Sequence, residues 1–84
     1  MFEGYVKRLE KLEEIAMEQQ GVERCFAIQA GRELRVMVEP EQVDDDQMDK
    51  ISEAVARRIE SELQYPGQIK VVVIRETRSF DLAK

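Results

Sequence analysis

The sequence predicts a small α+β domain in which two helices pack on one face of a mixed three-stranded sheet. Two segments carry apolar residues every three or four positions, and three others alternate apolar residues or concentrate β-branched ones. The length of 84 residues leaves room for one core, so residues 1–84 are predicted to form a single domain. The predicted order is helix, strand, strand, helix, strand, and a right-handed crossover is expected to join the second strand to the third.

The first predicted helix runs from Tyr5 to Gln20, and Gly21 is expected to close its end in a left-handed conformation. Its apolar residues, which recur at helical spacing, are Tyr5, Leu9, Leu12, Ile15 and Ala16.

Two strands are predicted between Val22 and Val38, joined by a turn at residues 29–31. A three-residue turn with a left-handed last residue would place Phe26 opposite Leu34 and Val22 opposite Val38. This register puts the alternating aliphatic residues of both strands on one face, where the helices are expected to cover them.

The second predicted helix covers about residues 45–64, because Asp44 and Gln47 form a capping-box signature before a run of apolar residues at helical spacing. The turn signal Tyr65-Pro66-Gly67 follows, and then a third strand over residues 69–75. A short helix is one option for the polar tail after this strand.

A partly apolar stripe is expected on the sheet face opposite the helices. A domain of this size gains limited stability from its own core, so we expect a second copy or a neighbouring domain to cover the stripe. The candidate interface residues are Cys25, Ala27, Met37, Val72 and Ile74.

Composition excludes several classes of site. The chain has no histidine, which excludes imidazole catalysis and a histidine-ligated metal, and its single cysteine excludes an intramolecular disulfide. One cysteine and no secretion signal fit a cytoplasmic protein, and no apolar stretch approaches the length of a membrane helix. The acidic cluster around Asp44–Asp49 is interpreted as helix capping. No catalytic, cofactor-binding or metal-binding residue is predicted.

Basic residues concentrate at the end of an otherwise acidic chain of net charge −5. Lys70, Arg75 and Arg78 are candidate RNA contacts, with Arg32 and Arg35 as further members. Salt bridges and solvated faces are the favoured interpretation, because nucleic-acid modules normally carry a basic excess. Any RNA contact is expected to be weak and salt-sensitive.

Several blocks of the sequence together resemble the C-terminal end of the ribonuclease Y family of bacterial endoribonucleases. They are YVKRLEKLEEIA at 5–16, FAIQAGRE at 26–33, LRVMV at 34–38, YPGQIK at 65–70 and VIRETR at 73–78, followed by a final Ala83-Lys84. The resemblance implies a parent held at the cytoplasmic side of the membrane by an anchor, with a coiled coil, an RNA-binding KH domain and a metal-dependent HD-type hydrolase domain, all preceding this region.

The metal-binding histidine motif of the HD domain has no counterpart in these 84 residues. The resemblance therefore implies a divalent metal only in that domain and no catalytic role here. It predicts a non-catalytic interaction or dimerisation module of an endoribonuclease of mRNA decay, forming a homodimer or docking on the parent's catalytic domain. The alternative is an accessory RNA-binding domain of the same enzyme. A free-standing enzyme is a third hypothesis without a recognisable site.

Overall fold

The computed structural model of the chain describes residues 2–65 and 67–84. These residues form helices α1 (Phe2–Met17) and α2 (Asp45–Glu62) and strands β1 (Val22–Ile28), β2 (Glu33–Val38) and β3 (Lys70–Arg75). The strands lie in the order β1-β2-β3, with β1 antiparallel and β3 parallel to β2. The predicted α+β fold and its element order are therefore confirmed.

Strand β2 supplies the centre of the core. Leu34 and Val36 are fully buried and Val38 is 2% exposed. Alternate residues of a strand point to the same face, so all three side chains meet the helix layer. The helix residues buried with them are Leu12, Ile15 and Ala16 of α1 and Ile51, Val55 and Ile59 of α2. Burying an aliphatic side chain of this size contributes about 1.5–3 kcal/mol.

Helix α1 ends at Met17, three residues before the predicted boundary. The N–H of Gln19 donates to the carbonyl of Ala16 at 3.1 Å, which tightens the chain into a turn before Gly21. Gly21 has a φ of +91°, as expected for a left-handed position. A β-carbon there would also lie 2.5 Å from a methyl group of Val43, so both backbone and packing favour glycine.

The capping box of α2 is confirmed. The Asp44 carboxylate accepts the Gln47 N–H at 2.8 Å, and the Gln47 side chain accepts the Asp44 N–H at the same distance. The helix ends at Glu62, two residues before the predicted boundary, and Leu63 forms its C-cap. In the predicted turn that follows, Pro66 lies outside the described residues.

The two helices are joined across their exposed sides by ion pairs. Arg58 contacts Glu18 at 3.1 Å and Glu62 at 2.7 Å, and Lys11 contacts Glu62 at 3.3 Å. The hydrogen bond from Arg58 lowers the pKa of Glu62. Protonating the Glu62 carboxylate removes its pairs with Arg58 and Lys11, so the contribution of these two pairs to stability is present above the ordinary pKa of 4.5 and lost as the pH falls through the lowered value.

The hairpin between β1 and β2 differs from the prediction by one residue. The connection spans residues 29–32 instead of 29–31, and its first three residues have positive φ angles of 53°, 56° and 81°. Phe26 consequently lies opposite Arg35, and the predicted pairing of Phe26 with Leu34 is wrong. A shift of one residue turns every following side chain to the other face of the sheet.

A β-bulge restores the register at the start of β1. The register shifts between Val22 and Arg24, so Val22 pairs with Val38 as predicted. The predicted and observed strands therefore agree at this end and differ over the rest of β1.

The placement of Cys25 and Ala27 on the face away from the helices is wrong for the same reason. Cys25 lies opposite Val36 and Ala27 opposite Leu34, and both pack against the core under the helices. The Phe26 side chain points to the opposite face of the sheet, away from the core, and 45% of its surface is exposed.

The tail after β3 forms neither helix nor strand over residues 76–84, so the optional short helix is not found. Phe80 and Leu82 are 87% and 72% exposed. The radius of gyration is 14.6 Å, larger than the roughly 12 Å of a compact chain of this length.

We expect Gly31→Ala to destabilise the domain by about 1–3 kcal/mol in urea unfolding. Gly31 has a φ of +81°, and a β-carbon there would collide with the Tyr65 hydroxyl and a Leu9 methyl group. Gly4→Ala is the matched control, because nothing lies within 4 Å of a β-carbon at this helical position. This control should be neutral or slightly stabilising, and equal destabilisation by both variants would contradict the proposed close approach.

Candidate interaction surface

The face of the sheet away from the two helices is the candidate interaction surface, and we call it the open face. Alternation along the paired strands assigns it an apolar set comprising Phe26, Ile28, Met37, Val72 and Ile74. Three of the five predicted interface residues, Met37, Val72 and Ile74, lie on it. Phe26 and Ile28 take the places predicted for Cys25 and Ala27.

Met37 on the central strand and Phe26 on the outer strand β1 are two apolar residues of the open face with different exposure. Met37 is 8% exposed although no helix covers it, because it lies on the central strand between Arg24 of β1 and Ile74 of β3. The Arg24 guanidinium carbon lies 5.7 Å from the centre of the Phe26 ring, within range of a cation–π contact. The apolar part of the open face is therefore largely buried at Met37 and half-exposed at the Phe26 ring.

The charged groups on the open face are more basic than the chain as a whole. Arg35 and Glu33 form an ion pair at 2.7 Å, and the Glu33 side chain is only 11% exposed. Lys70 of β3 lies beside Glu33 of β2, and Arg24 of β1 is the third basic residue on this face. Among the paired strand residues of this face, three cations and one carboxylate contrast with the chain's net charge of −5.

The structure does not bring the three candidate RNA contacts together. Lys70 and Arg75 are the first and last residues of β3, and alternation along the strand turns them to opposite faces. Arg75 donates to the Val43 carbonyl at 2.8 Å and also pairs with the Asp45 carboxylate. Since Arg75 has these partners within the chain, it is not a free phosphate ligand. Arg78 pairs with Glu76, the residue that directly follows β3, at 2.9 Å.

The Arg24 and Phe26 pair was missed in the sequence. Residues i and i+2 of a strand lie on the same face, so the spacing of Arg24 and Phe26 indicated that the two side chains could contact each other. The predicted hairpin register had placed Phe26 in the core, so the signal was not used.

Cys25 is a structural thiol under α1. Its Sγ donates to the Glu13 carbonyl at 3.4 Å, and the Glu13 carboxylate accepts the Ala27 N–H at 3.3 Å. Burial raises the pKa of the Cys25 thiol, and the Glu13 carboxylate raises it further. Both effects favour the neutral thiol, which is the less reactive form.

The acidic residues at the start of α2 serve its N-terminus. Asp44 is the N-cap and Asp45 and Asp46 lie in the first turn, where the helix dipole favours negative charge.

Across residues 2–65 and 67–84, no three side chains of histidine, cysteine, aspartate or glutamate are placed to hold a metal ion. Neither described helix has the length and apolarity needed to cross a bilayer.

Comparison with curated proteins identifies close relatives. The chain is 62% identical over 82 residues to Ribonuclease Y of Acetivibrio thermocellus, a match covering 98% of this chain and 16% of that protein. Ribonuclease Y of Clostridium botulinum strain Hall is 61% identical and that of Clostridium perfringens strain SM101 is 58% identical, with the same coverage. The resemblance to ribonuclease Y is confirmed.

The matched segment is a small part of each ribonuclease Y. This chain spans 16% of the length of the three relatives, while the match takes in nearly all of its own residues. Both helices and all three strands of the described chain therefore belong to the part shared with ribonuclease Y. No family model matches the chain. No solved structure matches it either.

We expect Cys25 to react with iodoacetamide several-fold more slowly in the folded chain than in the urea-unfolded chain near pH 8.5. The raised pKa and partial burial both lower the concentration of accessible thiolate. Glu13→Gln should recover only part of the rate, because burial is the larger cause of the raised pKa. Equal rates in the folded and unfolded chains would contradict the placement under α1.

The raised pKa of Cys25 also predicts that the folded chain loses stability at alkaline pH. A group with a raised pKa in the folded state stabilises the fold below its ordinary value, here 9.0, and that contribution is lost as the pH rises through the folded value. Cys25→Ala should remove this part of the pH dependence, measured by thermal unfolding between neutral and alkaline pH.

Proposed function

We propose that the chain is a non-catalytic, C-terminal interaction module of a ribonuclease Y-like endoribonuclease that acts in RNA decay. In this proposal RNA cleavage belongs to the parent, on a metal-dependent HD-type domain outside these residues. The parent is anchored at the cytoplasmic side of the membrane. The module positions catalytic domains and supplies no chemical group to the reaction.

The open face carries this proposal. It presents half-buried aliphatic residues around Phe26, which is 45% exposed, in a domain with a single small core. Apolar sheet faces of this kind gain stability when a second surface excludes water from them.

We assign the rest of the ribonuclease Y polypeptide as the occupant of the open face. The curated relatives extend far beyond the matched segment, which is 16% of their length, so most of their polypeptide is available in the same molecule. A tethered surface has a high effective concentration, which lets a small apolar patch bind without strong intrinsic affinity.

The proposed docking is tested with a chimera in which this chain replaces the matched residues of Acetivibrio thermocellus ribonuclease Y. Hydroxyl-radical oxidation of Phe26 should be several-fold slower in the chimera than in the isolated chain, because docking removes the ring from solvent. Met17 on α1 is the matched control, since it is 47% exposed and lies off the open face. Its oxidation rate should not change.

Activity supplies a second measurement. Phe26→Glu in the chimera should slow RNA cleavage by about tenfold, since charging one buried contact costs roughly 1–3 kcal/mol, whereas Met17→Glu should leave it unchanged. Equal Phe26 oxidation in chain and chimera would reject the docking surface. RNA cleavage by the isolated chain with Mg²⁺ or Mn²⁺ would reject the non-catalytic role.

An accessory RNA contact is a second candidate, favoured by one observation. Arg24 stacks over the half-exposed Phe26 ring on a sheet face that also carries Arg35 and Lys70. Aromatic rings and cations on a sheet can stack single-stranded bases and contact phosphates. This set keeps Lys70 of the three predicted contacts and Arg35 of the two further members, and it adds Arg24 and Phe26.

We expect this candidate to show weak binding of labelled single-stranded RNA that falls between about 50 and 200 mM salt. Arg24→Glu should weaken RNA binding relative to the unmodified chain, because it removes a cation and also the guanidinium that lies over the Phe26 ring. Arg57→Glu is the control, because Arg57 is exposed on α2 and pairs with Glu60. Absence of binding at the lower salt concentration would remove this candidate and leave protein docking in place.

A further inference from the structure

The two outer edges of the sheet differ in their protection. At the edge formed by β1, the outward N–H of Ala27 donates to the Glu13 carboxylate of α1 at 3.3 Å. The β-bulge between Val22 and Arg24 also interrupts this strand. Side-chain caps and bulges are common means by which proteins prevent an edge strand from pairing with another chain.

The other edge, formed by β3, has no comparable protection. The N–H of Lys70 donates to the Arg32 carbonyl at 2.9 Å, which directs the backbone groups of Lys70 toward β2. In a parallel pair the direction alternates, so the N–H and C=O groups of Val71, Val73 and Arg75 point away from the sheet. None of the residues in the described part of the chain hydrogen-bonds to these outward groups.

The side chains of β3 also favour pairing. The strand reads Lys-Val-Val-Val-Ile-Arg, with β-branched residues throughout its middle and charges only at its ends. It contains no proline and no register irregularity against β2. An edge of this kind is a template for another strand.

We propose that β3 pairs with β3 of a second copy of this chain, antiparallel about a two-fold axis at Val73. Val73 then faces the partner's Val73, and Val71 faces the partner's Arg75. The outward groups of these residues form about six inter-strand hydrogen bonds. The two three-stranded sheets become one continuous sheet with all four helices on the same side.

Charge complementarity selects this register. With the axis at Val73, Lys70 lies opposite the partner's Glu76, and the symmetric pair lies at the other end. Lys70 is exposed and has no ion-pair partner among the residues described, while Glu76 has only the exposed Arg78. An axis at Val72 would instead place Lys70 opposite the partner's Ile74 and lose both ion pairs.

This pairing extends the proposed interaction role by naming a partner and a register, and it can fail separately. It uses the β3 edge and leaves Phe26, on β1, uncovered. The docking of the open face is measured by Phe26 oxidation in the chimera, whereas pairing is measured with the 84-residue chain alone.

The test is a charge exchange followed by sedimentation equilibrium. The unmodified chain should be a dimer at micromolar to high micromolar concentration, and Glu76→Lys or Lys70→Glu should each weaken it by about tenfold by turning two attractive pairs into repulsive ones. The double variant Lys70→Glu with Glu76→Lys restores opposite charges and should recover most of the affinity. Lys50→Glu on α2 is the control for net charge and should not weaken pairing.

Amide hydrogen exchange gives the second measurement. The N–H groups of Val71 and Val73 should become protected as concentration rises through the dimer range, and should exchange rapidly in the monomer. A chain that stays monomeric at high micromolar concentration would overturn the proposal. So would a dimer that leaves these amides unprotected, protection in the monomer from the chain's own tail, or single variants that the double variant does not rescue.

Discussion

The fold depends on the central strand being paired along both edges while one of its faces is kept dry. Leu34, Val36 and Val38 are almost fully buried, and β1 and β3 hydrogen-bond to either side of the strand that carries them. Because β2 cannot rotate or slide without breaking two ladders, its alternation decides which face of the whole sheet is apolar and covered. The helices follow from this, since each must bury its own apolar stripe against that face.

Elements with a strong local signal were predicted well from the sequence. The Asp44 and Gln47 capping box places the start of α2, and helical spacing identifies both amphipathic helices. The hairpin was not predicted correctly, because its register depends on the loop. Gln29 and Ala30 both adopt positive φ, a conformation that neither residue type signals. One additional loop residue then exchanged the faces of β1 and moved Phe26 onto the candidate surface.

The candidate site was predicted in part for a related reason. Met37, Val72 and Ile74 lie on β2 and β3, whose alternation is regular, and they occupy the predicted face. Arg75 was chosen for its charge, but the partners that occupy it come from the loop and the first turn of α2. Such tertiary contacts are not encoded in local spacing, so its role in the fold could be seen only in the structure.

The Glu13 contact with Ala27 has a consequence for how large an assembly can grow. A sheet with two unprotected edge strands could add copies at both edges and form a fibre. A sheet with one unprotected edge strand forms a closed dimer, because no free edge is left once two copies pair. By accepting the N–H of Ala27, the Glu13 carboxylate of α1 removes one of the backbone donors that a strand added at this edge would need. Replacing Glu13 would therefore free this donor at the β1 edge and remove a contact between α1 and β1.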